Sequence, residues 1–285
     1  MTAVLKPASE GELAETIAAA EGAFEIVGAG TKRQWGRPMA ALPVIDMSGF
    51  DSIHHYEPEE LILEAGAGTP LSEITALLAE KGQQLAFEPP DFSALLCGSH
   101  GGTIGGIASC NLSGPRRLKA GAARDHILGV RGVSGRGEVF KAGGRVVKNV
   151  TGYDIAKLMC GAHGTLAVLT SMVFKVMPAA EHEETLVLAG LDVAEAIAAM
   201  ARAMASPAEV SGAAHVPGRG TFLRLEGIKP SIAYRREALI KLLGGKFEVF
   251  DPGASRKLWQ EMRDVRPLAS RSEEHTSELQ SRETI

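Results

Sequence analysis

The sequence contains little cysteine, no long apolar run and no marked excess of charge of one sign. Its 285 residues include only three cysteines, Cys97, Cys110 and Cys160, and no two of them form a CxxC pair. This spacing argues against a zinc knuckle, an iron–sulfur cluster or a disulfide framework within the chain, so we expect reduced thiols. The formal net charge is only -4 and no basic block occurs, so a nucleic-acid or anionic-membrane surface is not expected.

The two ends of the chain carry separate expectations. The N-terminal stretch lacks the apolar core of a signal peptide, and no apolar run is long enough to span a bilayer. We therefore expect a cytoplasmic chain that is not an integral membrane protein. Residues 271–285 resemble a translated sequencing adapter, so we expect native sequence only to about Ser270 and a lost C-terminal part. Residues 253–270 are interpreted as a truncated remainder.

Glycine, in contrast, is abundant. The 33 glycines cluster at residues 28–36, 98–106, 129–144 and 161–164. Because glycine has no Cβ, such clusters mark places where the backbone turns tightly or comes close to another group. They are the first candidates for a binding site.

Hydrophobic patterning predicts a mixed α/β domain over residues 1–178. Ser9 and Glu12 have capping-box spacing at the start of a helical stripe, and Thr69 with Pro70 begins a second helix that Gly82 ends. Strand-like segments occur at residues 24–27, 43–47, 61–65, 127–133, 137–141 and 166–176. Residues 89–126 show little periodicity, and so long a loop indicates a functional or a disordered segment.

A boundary is predicted at Pro178 and the charged run 181–184, after which the pattern changes. Asp192 caps one predicted helix and Ser231 opens another, and they alternate with strands at residues 185–189, 209–214, 221–226 and 246–250. Read in order, this is the β-α-β-β-α-β arrangement of a small domain over residues 185–252. The predicted fold class is therefore α+β.

The first glycine-rich segment follows a predicted strand and reads Val27-Gly28-Ala29-Gly30-Thr31-Lys32. Small residues there let consecutive backbone N–H groups face an anion, and Lys32 adds charge. The segment is neither a dinucleotide GxGxxG motif, because Arg33 occupies the third glycine position, nor a Walker loop. Taken alone, such a loop is more often an ordinary turn than a phosphate site.

Two further segments combine glycine with polar donors. Residues 101–116 embed Ile104 and Ile107 at buried-type positions, which is unlike a flexible linker. Residues 147–154 read VKNVTGYD, and residues 161–166 read GAHGTL. In both stretches the glycines permit close backbone approach beside groups that can donate hydrogen bonds.

In order and spacing, these three segments resemble the FAD-binding domain shared by vanillyl-alcohol oxidase and p-cresol methylhydroxylase (PCMH) relatives. The resemblance covers roughly residues 1–178, and the third segment is similar to signatures of D-lactate and glycolate dehydrogenases. The residues of these motifs are most similar to those of the FAD-binding subunits of bacterial glycolate oxidases. The resemblance implies a two-subdomain PCMH-type FAD-binding domain, with residues 185–252 as a small βαββαβ cap.

The resemblance assigns cofactor-binding roles residue by residue. It places Gly28, Ala29, Gly30, Thr31 and Lys32 in the pyrophosphate loop. It assigns the second phosphate and the ribityl side to Thr103, Gly105, Gly106, Cys110, Asn111 and Gly114. Lys148, Gly152 and Tyr153 are expected near the flavin, and Gly164 and Val168 beside the nucleotide.

Three departures from the family pattern qualify this assignment. Thr31 stands where some relatives attach the flavin through histidine, so FAD is expected to bind non-covalently. His163 replaces a usual glutamate and Ser113 replaces a usual glycine. His163 is either a structural hydrogen-bonding group or a group that contacts phosphate or flavin, and the sequence leaves both open.

The function implied by the resemblance is oxidation of glycolate or D-lactate to the 2-oxo acid through the flavin. Expected partners are a larger homologous flavin subunit and an iron–sulfur subunit, in the cytoplasm or peripherally at the inner membrane. No catalytic base and no metal-ligand spacing can be assigned from the sequence. The alternative is a non-catalytic flavin-binding subunit that relays electrons or shapes the complex. A reductase of the peptidoglycan-precursor type is disfavoured by the VKNVTGYD segment.

Overall fold

The computed structural model describes residues 3–36, 40–96, 101–146, 152–266 and 269, and these form two compact units. The first unit comprises Met1–Leu85, Pro89–Leu112 and Ala122–Pro178. The second comprises Ala86–Glu88, Ser113–Gly121 and the chain from Ala179 onward. The second unit therefore includes two short stretches that precede and follow a segment of the first.

The first unit begins with a small parallel sheet of three strands, β1 (Val4–Leu5), β2 (Glu25–Val27) and β3 (Val44–Asp46), in the order β1-β3-β2. Helix α1 (Glu10–Ala18) starts where Ser9 Oγ accepts a hydrogen bond from the Glu12 N–H (3.2 Å), as the capping-box spacing predicts. Leu13 and Ile17 on its inner face pack into an apolar cluster with Ile45, Met47, Val133 and Val168.

A five-stranded antiparallel sheet forms the rest of the first unit, in the order β4-β5-β9-β7-β8. Its strands are β4 (Ile53–Glu57), β5 (Ile62–Gly66), β7 (Ile127–Ser134), β8 (Val139–Gly143) and β9 (Ala167–Lys175). Two further strands of two residues each, β6 (Gln83–Gln84) and β10 (Met177–Pro178), pair with each other in antiparallel orientation. The helices are α2 (Leu71–Glu80), α3 (Ile104–Ser109), α5 (Ala123–His126) and α6 (Ile155–Met159).

Local predictions in the first unit were wrong at three places. Strands β1 and β4 were missed, since Val4–Leu5 is very short and the sequence IHHYE of β4 has no clean apolar alternation. The strand predicted at 61–65 is present as β5 and pairs with β4 and β9 in the second sheet. Helix α2 is capped by Pro70, which has no side-chain donor or acceptor, whereas Thr69 is buried and its hydroxyl reaches the Ser52 carbonyl (3.4 Å).

The second unit has the predicted β-α-β-β-α-β order. Its elements are β11 (His182–Leu188), α7 (Val193–Met204), β12 (Gly212–Val216), β13 (Gly220–Gly227), α8 (Lys229–Leu243) and β14 (Glu248–Phe250). The antiparallel sheet runs β12-β13-β11-β14, and α4 (Arg117–Ala120) also belongs to this unit. Asp192 and Glu195 form the capping box that begins α7.

Successive strand residues point to opposite sides of this sheet, and apolar side chains on each side pack against a helix. Leu186, Leu223 and Leu225 pack on one face with Ile232 and Leu239 of α8. Val187 and Phe222 pack on the other face against a further helix, α9 (Pro252–Arg263), through its Leu258 and Trp259. Helix α9 lies largely within residues 253–270, which the sequence analysis interprets as a truncated remainder and for which it predicts no helix.

Candidate functional site

The first two glycine-rich segments are in direct contact in the first unit. A Cβ added to Gly28 would lie 2.4 Å from Thr103 Oγ1, so only glycine allows this approach. A Cβ added to Gly102 would lie 3.1 Å from both Lys32 Nζ and Thr31 Oγ1. The loop after β2 therefore lies against the segment that begins α3.

Lys32 lies between these segments. Its ammonium donates to Thr31 Oγ1 (3.2 Å), and Cβ atoms built on Gly102 and Gly106 would lie 3.1 and 3.3 Å from Nζ. Burial lowers the pKa of Lys32, and the nearby Cys110 and Asp91 partly oppose that shift. A partly desolvated ammonium next to glycine backbone is suited to an anionic ligand, which would offset the cost of burying the charge.

Backbone hydrogen bonds hold the second segment in place. The N–H of Ile104 donates to Thr69 O (3.0 Å) and the N–H of Gly105 to Ala67 O (2.9 Å). A Cβ on Gly105 would lie 2.6 Å from that same carbonyl oxygen, so Gly105 serves packing against the end of β5. Thr103 caps α3, since its hydroxyl accepts from the Gly106 N–H (3.3 Å).

The third segment reaches the same place through residues 161–164. The N–H groups of Gly161 and His163 donate to the carbonyls of Ala108 (3.0 Å) and Ser109 (2.8 Å) at the end of α3. His163 has φ = 53°, in the left-handed region that few non-glycine residues adopt. Its ring makes an edge contact with Trp35, 6.2 Å between centroids. The third segment therefore contacts the end of α3, the helix that the second segment begins.

Other predicted residues lie elsewhere or have a different role in the fold. Tyr153 is 91% exposed, and space around Gly152 is open within 4 Å of a built Cβ. The Val168 side chain is buried in the apolar cluster of α1, and its backbone pairs with Val133 in the sheet. Gly114 belongs to the second unit, where a Cβ would lie 2.3 Å from Glu88 O. Lys148 lies outside the described residues.

Cys110 and Asn111 follow α3 directly and lie beside the convergence point. Burial raises the pKa of the Cys110 thiol, and Lys32 partly opposes the shift. Asn111 adopts φ = 50°, and its Oδ1 accepts from the Arg124 N–H (3.0 Å) and from the Cys160 thiol (3.6 Å). The Asn111 side chain thus fixes local structure through Arg124 and Cys160.

Sequence reasoning overlooked two residues at this site. Gly102, with φ = 82°, faces Lys32 and Thr31 as closely as any predicted residue. Asp91 interacts electrostatically with Lys32 and lies 3.4 Å, through Oδ2, from a Cβ built on Gly101. Gly102 was visible as part of the glycine run, whereas Asp91 carried no local signal because its relation to Lys32 depends on the fold.

The described part of the second unit contains a buried ionic cluster. Arg224 is 1% exposed, donates to both Glu88 carboxylate oxygens (2.8 and 3.0 Å) and lies 4.5 Å from the Trp259 ring centroid. Arg116 donates through Nε and Nη2 to Glu226 (2.9 and 2.8 Å). Both guanidiniums are therefore engaged with carboxylates of the chain itself.

The fold and the convergence of glycine backbone on Lys32 fit the diphosphate of a flavin dinucleotide. The glycines leave space where side chains would otherwise lie, and the ammonium would supply positive charge to phosphate oxygens bound there. The fold defines the class as an α+β, PCMH-type FAD-binding domain. A family model described as "FAD binding domain" matches residues 1–143, and the chain belongs to that family, with FAD as its cofactor.

Curated relatives are similar over most or part of the chain. Glycolate oxidase subunit GlcE of Escherichia coli (strain K12) is 36% identical over 239 residues, covering 84% of this chain and 63% of that protein. Glycolate oxidase subunit GlcD of Bacillus subtilis (strain 168) is 32% identical over 48% of this chain and 28% of its own length. A D-lactate dehydrogenase of Anaerostipes hadrus is 32% identical over 51% of this chain and 29% of its own length. The chain thus spans less than two thirds of these relatives.

A solved structure shares the fold. An alkyldihydroxyacetonephosphate synthase superposes with a TM-score of 0.70 over 92% of this chain and 54% of that chain, at 16% sequence identity. At this identity the likeness concerns the fold alone. In the described part of the chain, no helix has the length and apolarity required to cross a membrane.

Proposed function

We propose that this chain is the FAD-binding subunit of a glycolate oxidase or dehydrogenase, in which glycolate or D-lactate is oxidised to the 2-oxo acid. The observation that carries the proposal is that the loop at 28–32 and the segment at 102–106 meet at the Lys32 ammonium, while residues 161–164 bond to the end of α3. Similarity to glycolate oxidase subunits and a D-lactate dehydrogenase supports the substrate class. Bound FAD supplies the hydride acceptor, and the chain supplies binding and orientation.

The placement of Lys32 supports a role for this residue in the proposal. Lys32 would hold the diphosphate by charge, beside Gly102 and Gly106, where no Cβ occupies the space next to the ammonium. Thr31 cannot form the histidyl bond to flavin found in some relatives, so the cofactor is held non-covalently. Partners are a larger homologous flavin subunit and an iron–sulfur subunit, with the complex in the cytoplasm or peripheral at the inner membrane.

A specific observation favours a second candidate, a flavin-binding subunit that relays electrons or shapes the complex without oxidising substrate. A 2-hydroxy acid needs a cation for its carboxylate, and arginine is the usual choice. In the described part of the second unit, the buried Arg116 and Arg224 are paired with glutamates, and Arg235 donates to the Ala208 and Glu226 carbonyls (3.3 and 2.7 Å). These guanidiniums are not available to a substrate.

Anaerobic reduction of the isolated, FAD-loaded chain separates the two candidates. Addition of glycolate or D-lactate bleaches the flavin absorbance if the chain oxidises substrate itself. A flavin that stays oxidised with either acid, yet is reduced once the homologous larger subunit is present, establishes the relay function. Acid precipitation tests the mode of binding, since yellow colour retained in the pellet would contradict non-covalent attachment.

A further inference from the structure

A segment that carries part of the candidate FAD site is closed at its base by one buried carboxylate. Residues 89–112 belong to the first unit, but the stretches that flank them, 86–88 and 113–121, belong to the second. Glu88, at one end, accepts a hydrogen bond from the backbone N–H of Arg116 at the other end (2.9 Å). The segment with Thr103 and Gly106 is therefore a loop whose two ends are joined within the second unit.

The joint is tight and sterically specific. Phe87 O accepts a hydrogen bond from the Gly114 N–H (2.9 Å), and a Cβ on Gly114 would lie 2.3 Å from Glu88 O. Glu88 itself has φ = 55°, a left-handed conformation that is strained for a residue with a side chain. Such a conformation persists only when surrounding contacts hold it. The partners of the Glu88 carboxylate provide such contacts.

Those partners surround the carboxylate with donors. Arg224 contributes Nη1 (2.8 Å) and Nη2 (3.0 Å) to the two oxygens, so the pair is bidentate. Arg224 is in turn held by the Trp259 ring at 4.5 Å and by Ser211 Oγ, which accepts from its Nε (3.1 Å). Glu88 therefore connects the loop base to the sheet of the second unit through β13, which carries Arg224.

We propose that Glu88 is a positioning residue for FAD binding: with Arg224 it closes the base of the 89–112 segment and holds the Thr103–Gly106 stretch ready for the cofactor phosphate. Joining the ends of a long chain segment reduces the conformational freedom that ligand binding would otherwise have to remove. The proposal rests on the assignment of Thr103–Gly106 to the FAD site. It gives the buried cluster a role in cofactor affinity beyond the stability of the second unit.

The experiment compares two salt-bridge variants in the full chain. Glu88→Gln keeps an oxygen for the Arg116 N–H but loses the charge pair, whereas Arg236→Ala removes the Arg236–Glu184 pair (2.8 Å) elsewhere in the second unit. FAD affinity is measured by fluorescence titration of apoprotein, and unfolding temperature by calorimetry. We expect Glu88→Gln to weaken FAD at least tenfold and Arg236→Ala to leave affinity within twofold, even where their unfolding temperatures fall equally.

Arg224→Lys provides a milder second variant, because it retains a positive charge and loses only the bidentate geometry. We expect an intermediate loss of FAD affinity. If either Glu88→Gln or Arg224→Lys folds and binds FAD within twofold of the parent chain, the positioning role is refuted. A Lys32→Met variant tested in parallel separates the two ideas, since unchanged FAD affinity in that variant refutes the site assignment itself.

Discussion

Replacing Lys32 by methionine tests the candidate site most directly, because the change has opposite expected effects on the free protein and on FAD binding. In the apoprotein the Lys32 ammonium is partly buried, and burial lowers its pKa, so the charge is disfavoured there. Methionine has a similar length and no charge to desolvate. We therefore expect the apoprotein of Lys32→Met to unfold at the same temperature as the parent or higher.

The loss appears when FAD binds. A charge-assisted contact is worth about 1.5 to 3 kcal/mol, and 1.4 kcal/mol corresponds to about a factor of ten. Removing the single Lys32 ammonium should therefore weaken FAD by about tenfold to about 150-fold. Fluorescence titration of apoprotein measures the affinity, and a calorimetric scan of the same sample measures stability. A residue that trades stability for binding in this way is typical of a functional site.

Arg33 provides the matched control, because it is the next residue in the chain and carries the same charge. Its guanidinium is more than half exposed and is paired with Glu25, with donor–acceptor distances of 2.7 and 2.5 Å. Such surface pairs contribute about 0.2–1 kcal/mol to stability. Arg33→Ala should lower the unfolding temperature slightly and leave FAD affinity within about twofold. Equal loss of FAD affinity in the Arg33 and Lys32 variants, or none in either, would refute the assignment of the cradle.

Three further predictions concern the stability and reactivity of buried groups. Burial raises the pKa of Glu183 above its ordinary value of 4.5, opposed by a hydrogen bond from Ser255, so stability from this group is lost as pH rises from the unfolded toward the folded pKa. Chemical denaturation should show Glu183→Gln gaining stability relative to the parent between about pH 4 and neutrality; a constant difference would contradict this. Trp259→Ala, at a side chain 1% exposed, should cost about 3–5 kcal/mol in the same assay, and a loss under about 1 kcal/mol would show that α9 is dispensable. Cys160, whose pKa is raised to about 12 chiefly by burial, should resist iodoacetamide at pH 8 until the chain is unfolded, as peptide mass spectrometry can show; rapid alkylation of the native protein would contradict this.

Regular periodicity predicted most of the architecture. The second unit alternates apolar residues at strand and helix spacing, and its β-α-β-β-α-β order was predicted correctly from Asp192 onward. The start of helix α9 is also marked in the sequence, by Asp251 as N-cap and Pro252 in the first turn. The helix was not predicted because residues 253–270 were interpreted as a truncated remainder. Strand β4 was missed because two histidines interrupt the pattern that usually marks a half-buried strand.

The ionic cluster of the second unit could not be predicted, because its members are far apart in the sequence. Arg224 and Glu88 are separated by 136 positions and Arg116 and Glu226 by 110. Arginine and glutamate are usually exposed to solvent, so neither residue type by itself indicates a buried pair. An arginine near a glycine-rich motif could equally be interpreted as a ligand-binding residue. Only the fold shows that Arg116 is paired with Glu226 within the chain.

The glycine runs show the same limit inside the candidate site. Sequence marks all of them equally, yet a Cβ on Gly105 would meet the Ala67 carbonyl at 2.6 Å, whereas one on Gly106 would meet the flexible Lys32 ammonium at 3.3 Å. Alanine at position 105 should therefore disrupt packing against the end of β5, while alanine at position 106 should leave the fold intact and obstruct the ligand. Both substitutions should weaken FAD binding in a fluorescence titration of apoprotein, but only the substitution at position 105 should also lower the unfolding temperature. The motif thus combines a glycine that is needed for backbone packing, Gly105, with a glycine that leaves space beside Lys32, Gly106. Only the three-dimensional arrangement distinguishes the two.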